Sequence, residues 1–163
     1  MNEWSDFLPP LRQPRKTKPK AAPMPDWCKQ RYIAAHELSL SQVIKDAGHT
    51  FKATMPDTRK ANGLTQAIVK FLLWHGHRAT RVSSSGRMIK GRYIPGTTRR
   101  GQSDISATVK GRSCQIEIKI GNDKPSEYQL REQALEVKAG GVYIFIKTFE
   151  EFVLWYDNFL LTL

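Results

Sequence analysis

Residues 101–119 run GQSDISATVKGRSCQIEIK, and their two-residue periodicity decides the fold class. Strand side chains alternate between faces. Ile105, Ala107 and Val109 therefore share one face, and Asp104, Ser106, Thr108 and Lys110 share the other. The next segment repeats the pattern, with Cys114, Ile116, Ile118 and Ile120 apolar and Gln115, Glu117 and Lys119 polar. The two segments predict a β-hairpin. With Gly111 and Arg112 as a two-residue turn, glycine first as type II′ prefers, the expected register pairs Lys110 with Ser113. Asp104 then falls opposite Lys119, and Ser106 opposite Glu117. Directly opposed Cβ atoms lie about 4.5–5.5 Å apart, so two carboxylates and one ammonium converge on one small volume.

The flanking sequence supplies helices and two more strands. Leu64, Ala67, Ile68, Phe71 and Leu72 recur at helical spacing, with Asn62 placed to cap and Gly76 to terminate. HRATRVSSS predicts a strand, and Gly86 to Gly101 a loop. Pro125 to Ala139 predicts a helix that Ser126 and Gln129 can cap as a box. GVYIFIK is a short apolar run of the kind a strand buried on both faces shows. Thr148 and Glu151 form a second capping box ahead of the stripe Phe149, Phe152, Val153, Tyr156, Phe159 and Leu160. The expected class is α/β, in the order helix, strand, hairpin, helix, strand, helix.

Ahead of this unit the chain changes character. Phe7 to Pro25 mixes prolines with five basic residues and no acidic one, which predicts a disordered basic arm over residues 1–26. Residues 27–57 are expected to be a helical extension, with Ser39 and Gln42 opening one short helix and Gly48 stopping it. The folded domain is then residues 58–163.

Across 163 residues, 26 Lys and Arg against 15 Asp and Glu leave a formal charge of +11, which points to a polyanionic partner. No apolar run approaches the roughly 20 residues a spanning helix needs. Met1 to Lys20 lacks the apolar core of a secretory signal, so no membrane partner and a cytoplasmic location are expected. Cys28 and Cys114 have no CxxC spacing, and Cys114 fits a buried thiol. His75 and His77 lack a third ligand at a spacing suited to zinc.

From Thr58 to Ser103 there is no acidic residue, while Arg78, Arg81, Arg87, Lys90, Arg92, Arg99 and Arg100 all lie there. The acidic pair thus closes a long basic approach. Lys and Arg hold a nucleic-acid backbone without reading its sequence. Mg²⁺ takes one or two carboxylates together with waters and phosphate oxygens. Asp104 and Glu117 fit such an ion, and Lys119 is placed to orient a water or offset transition-state charge. The same three residues also fit an ordinary cross-strand salt bridge, and the residues alone leave both readings open.

GQSD followed by QIEIK resembles the PD-(D/E)XK nuclease superfamily, and the spacing is most similar to its virus-type replication-repair (VRR-NUC) branch, which Holliday junction resolvases also resemble. The likeness runs from about Asn62 to Asn158 and takes in KPSEYQ and GGVYIF. It implies a restriction-endonuclease-like core: a central mixed sheet of about four strands flanked by helices, in the order α-β-β-β-α-β-α. It implies Mg²⁺- or Mn²⁺-dependent hydrolysis of DNA phosphodiesters. Asp104, Glu117 and the Ile118 carbonyl would hold metal, Lys119 would serve the water, and Gln129 would reach the scissile region. Members often carry a glutamate on the first helix. None occurs in NGLTQAIVKFLLWHG, which leaves Gln66 or Asn62 as stand-ins, or a single-metal site. Two cuts in a duplex make a homodimer an expectation. The alternatives are a non-catalytic nucleic-acid-binding module on the same fold and an RNA-processing nuclease.

Overall fold

The hairpin forms as the alternation requires, but its register lies two residues from the expected one. A computed structural model describes residues 24–43, 53, 54, 56–82, 87–89, 92–94 and 100–163. In it, strand β4 (Ile105–Val109) pairs antiparallel with β5 (Arg112–Ile118), matching Ser106 with Gln115, Thr108 with Ser113 and Val109 with Arg112. The turn is Lys110–Gly111, with φ of +48° and +83°. Two positive φ values make this type I′, whose twist matches that of the strands it joins. A one-residue slip would have flipped every side chain, whereas a two-residue slip keeps each on its face. Continuing the observed register by one residue sets Asp104 opposite Glu117 rather than Lys119.

Two edge strands complete a four-stranded mixed sheet in the order β1-β4-β5-β6. β1 (Arg78–Arg81) runs antiparallel to β4, and β6 (Val142–Ile146) runs parallel to β5, reached through helix α3 (Glu127–Lys138). β6 is therefore an edge strand, and Val142, Ile144 and Phe145 are only half-buried, short of the two-sided burial expected. A separate two-stranded hairpin joins β2 (Arg87–Ile89) to β3 (Arg92–Ile94), inside the segment expected to be loop. The element order thus carries one more hairpin than the sequence reading allowed.

One face of the sheet is the core. Ile105, Ala107, Val109, Cys114, Ile116, Ile118 and Ile146 pack there against helix α2 (Ala61–Trp74) and helix α4 (Phe149–Leu161). Phe71 of α2 sits edge-on to Phe149, Phe152 and Tyr156 of α4, with ring centroids 5.4–5.7 Å apart. Complete burial of a side chain such as Ile116 stabilises the fold by about 1.5–3 kcal/mol. α2 ends in a Schellman motif, with Gly76 at φ +76° and the His77 N–H reaching the Leu72 carbonyl at 3.0 Å. Its start differs from expectation: Lys60 is the N-cap, without a side-chain hydrogen bond, and Asn62 lies within the first turn.

The segment ahead of α2 also differs. Helix α1 (Asp26–Val43) runs unbroken through positions 39–42, so the short helix expected to open there does not begin at Ser39. Cys28, Tyr32 and Ala35 lie one above another on α1 and are buried in the same core, beside Trp74 and Phe149. The basic arm lies outside the described residues up to its last three positions, as does Gly48. Among the described residues no helix is long and apolar enough to cross a membrane.

The opposite face of the sheet is polar along β1, β4 and β5 and carries Tyr143 and Phe145 on β6, and α3 meets it with polar side chains. Gln133 Nε2 donates to the Tyr143 carbonyl at 3.0 Å, and the Ser113 hydroxyl donates to Glu136 at 2.5 Å. No residue of α3 is buried. The helix is held by hydrogen bonds across a polar seam, not by an apolar stripe.

Candidate active site

Four side chains meet where β4 begins and β5 ends. Asp104 stands just before β4, its carbonyl accepting the Val82 N–H at 2.8 Å. Its Oδ2 accepts the backbone N–H of Ile118 at 2.9 Å, which holds the carboxylate across the mouth of the hairpin. Glu117 on β5 and Lys119 just past its end flank Ile118 and so project to the same face. Each is only 5 % exposed, deep burial for charged groups that are seldom buried unless paired.

The pairing is specific. Lys119 Nζ lies 3.1 Å from Glu117 Oε1 and 3.5 Å from Asp123 Oδ2. Glu117 Oε1 also accepts Gln129 Nε2 at 2.5 Å. Glu117 Oε2 is buried with no hydrogen-bond partner. Such an oxygen costs about 1–3 kcal/mol or more, because it has given up water for nothing. Burial pushes the Glu117 carboxyl above the usual carboxylate range and the Asp104 charge raises it further, against the opposing pull of Lys119.

Gln129 satisfies two demands at once. It is the third residue of α3, and its Oε1 accepts the Ser126 N–H at 2.9 Å while the Ser126 hydroxyl accepts the Gln129 N–H at 3.3 Å. That is the reciprocal capping box. The other end of the same amide reaches Glu117, so the helix cap and the site contact coexist in one side chain.

Of the basic residues singled out in the sequence, Arg100 lies against the start of α3, the helix that carries Gln129, and Arg81 lies on the α2 side of the sheet. The Arg100 guanidinium rests 5.6 Å over the Tyr128 ring, on the first turn of α3. Arg81 pairs in register with Ile105 and hydrogen-bonds Asn62 Oδ1. That contact engages Asn62 with a cation, and Gln66 lies exposed on α2. Arg78 sits at the far end of β1, opposite Thr108. Arg87 and Arg92 fall on β2 and β3, where side chains lie outside the description, and Lys90 and Arg99 lie outside the described residues.

Sequence reasoning missed three contributors. Asp123, four residues after Lys119, gives it a second carboxylate. Tyr143 on β6 donates its hydroxyl to the Gly101 carbonyl at 3.1 Å, tying the loop before Asp104 to the sheet. Tyr128 carries Arg100. Only Asp123 left a readable sign, a carboxylate one helical turn's count beyond a strand lysine. Comparison with family models, with curated proteins and with solved structures gave no match.

The donor set suits a hard cation. Among the described residues no group of three acidic, histidine or cysteine side chains could hold a metal. A cation here would draw on the carboxylates of Asp104 and Glu117. Two carboxylates with the remaining positions left to water and phosphate oxygens is a common arrangement for Mg²⁺. The partnerless Glu117 Oε2 is the observation that most favours a ligand here.

Proposed function

We propose that this protein is a metal-dependent nuclease of the PD-(D/E)XK type, with a restriction-endonuclease-like core closest to the VRR-NUC and Holliday junction resolvase branch, hydrolysing DNA phosphodiester bonds. The reading is carried by one observation: a buried Glu117 carboxylate with one oxygen unpartnered, opposite Asp104 and against Lys119. Asp104, Glu117 and the Ile118 carbonyl would hold Mg²⁺ or Mn²⁺. When bound, such an ion polarises a phosphoryl oxygen and activates water for attack.

The chain's own residues divide the remaining tasks. Hydrolysis forms a bond from a water oxygen to phosphorus and breaks one P–O ester bond, the attacking water giving up a proton to solvent and the leaving oxygen taking one up. Lys119 Nζ, held between Glu117 and Asp123, is placed to position that water and to oppose the negative charge growing on the phosphoryl oxygens. Gln129 fixes the rotamer of Glu117. Arg100, over Tyr128 at the start of α3, supplies a phosphate contact that positions without reading sequence.

The test is cleavage of branched, double-stranded and single-stranded DNA beside matched RNA, with Mg²⁺ or Mn²⁺. Cutting is expected to vanish in EDTA and in Glu117→Gln, and thermal unfolding of wild type, but not of Glu117→Gln, is expected to rise with Mn²⁺. Undiminished cutting by Glu117→Gln would sink the assignment. A second reading, a nucleic-acid-binding module without catalysis, is favoured by the lack of any acidic residue on α2. It requires salt-sensitive binding with no heat of metal uptake.

A further inference from the structure

At the opposite end of the same sheet lies a cleft of about 350 Å³, lined by His75, His77, Arg78, Thr108 and Lys110 together with the backbone of two glycines. No acidic side chain lines it. Arg78 and Lys110 are exposed at its rim. His75 Nδ1 is engaged with the Phe71 carbonyl at 2.8 Å, and His77 Nε2 with the Tyr156 hydroxyl at 2.9 Å, so both rings are fixed from within. Burial chiefly, and then His75 and Lys110, lower the His77 pKa.

Position connects the cleft to the candidate active site. Arg78 faces Thr108 across β1 and β4, and Thr80 faces Ser106. By strand alternation Arg78, Thr80, Ser106, Thr108 and Asp104 share one face of the sheet, the face away from α2. The helix on that face, α3, packs on β6. The β1–β4 half is therefore a polar strip that starts at the carboxylates and ends at the cations. Four residue steps separate Asp104 from Thr108, about 14 Å of strand and roughly four base-pair steps of B-form DNA.

We propose that this cleft is a second phosphate-binding site, gripping the backbone of the same nucleic acid through Arg78 and Lys110 about four nucleotides from the Asp104–Glu117 centre. The proposal rests on the nucleic-acid reading above but not on catalysis. The oxyanion could equally come from a free phosphate, so the test has an arm for each source.

The full chain is compared with Arg78→Gln/Lys110→Asn in binding a DNA duplex of about 20 base pairs, between about 50 and 200 mM salt, in EDTA so that nothing is cut. Lys110→Asn leaves an Asn-Gly pair, which a type I′ turn favours, so the hairpin keeps its geometry. Losing two phosphate contacts should flatten the slope of log K against log salt by about 1.8. Lys138→Gln, at an exposed cation on α3, controls for the loss of one such charge elsewhere on the surface. Arg78→Glu should weaken binding further, and amide shifts of Gly76 and Gly111 on adding inorganic phosphate report the free anion. A flattened slope in the double variant, with Lys138→Gln unchanged, supports the proposal. An unchanged slope overturns it, even if inorganic phosphate shifts the glycines, since that marks a small-anion site only. An equal change in Lys138→Gln also overturns it. If wild type never cuts DNA but the slope still flattens, the nuclease reading fails and this one stands.

Discussion

The amide of Gln129 spans 12 residues of sequence to donate to Glu117 at 2.5 Å, while its oxygen closes the cap of α3 on Ser126. Cap and site can be separated by substitution. Ser126→Ala removes only the cap and should cost about 1 kcal/mol of stability, with DNA cutting near that of wild type. Gln129→Glu keeps a capping-box residue but faces Glu117 with a second carboxylate, so it should retain α3 and lose most cutting. Urea unfolding and cleavage rates on the two variants check this. Equal activity in both would make Gln129 a cap and nothing more.

The Glu117–Lys119 pair is buried on both sides, each side chain only 7 % exposed, so removing one partner strands the other. Lys119→Met should destabilise the fold by about 3 kcal/mol, as loss of one half of a buried ion pair does. Adding Glu117→Gln to that variant should restore much of the loss, because no unpaired carboxylate remains. Asp123 contacts Lys119 from a half-exposed position, and Asp123→Asn should cost less than about 1 kcal/mol. A double-mutant cycle by urea denaturation measures the coupling, and strict additivity would contradict it.

His77 makes stability depend on pH in a defined direction. Its pKa in the folded chain lies below the ordinary 6.5, chiefly from burial and then from His75 and Lys110. Below that ordinary value the unfolded chain takes up a proton that the folded chain resists. The stability from His77 is therefore present above about pH 6.5 and lost as pH falls below it. His77→Gln can still bond the Tyr156 hydroxyl but cannot titrate. Its fall in urea midpoint between about pH 7.5 and pH 5.5 should be smaller than that of wild type.

The sequence disclosed the faces of the hairpin better than its register. Gly111 fits either turn, as first residue of a II′ or second residue of a I′, and the two choices differ by two residues, to which alternation is blind. Ile89-Lys90-Gly91-Arg92 and Val109-Lys110-Gly111-Arg112 share the same Lys-Gly-Arg run, and in each the flanking residues pair across antiparallel strands. That repeat was the available signal for β2 and β3, and the glycine-rich composition around it suggested a loop instead. α1 carried its signal in Cys28, Tyr32 and Ala35 at helical spacing, which Ser39 and Gln42, resembling a cap, obscured. Asp104, Glu117 and Lys119 were legible because strand alternation alone fixes their common face. Asp123, Tyr128 and Tyr143 were not, since they arrive from a turn, a helix start and an edge strand whose approach depends on packing.

Gly101 and Gly111 both hold left-handed backbone, at φ +87° and +83°, yet they should respond differently to a methyl group. Around Gly111 there is open space, so Gly111→Ala should cost only the left-handed strain, about 1–2 kcal/mol. A Cβ on Gly101 would sit 2.6 Å from the Tyr128 carbonyl carbon and press on the first turn of α3. That backbone cannot yield without moving Gln129, the next residue, away from Glu117. Gly101→Ala should therefore lose clearly more stability than Gly111→Ala and should also depress cutting at saturating DNA, where Gly111→Ala should cut normally once folded. Urea midpoints and cleavage rates at a temperature where both variants are folded decide between this and two equivalent turn glycines, for which the two substitutions would behave alike.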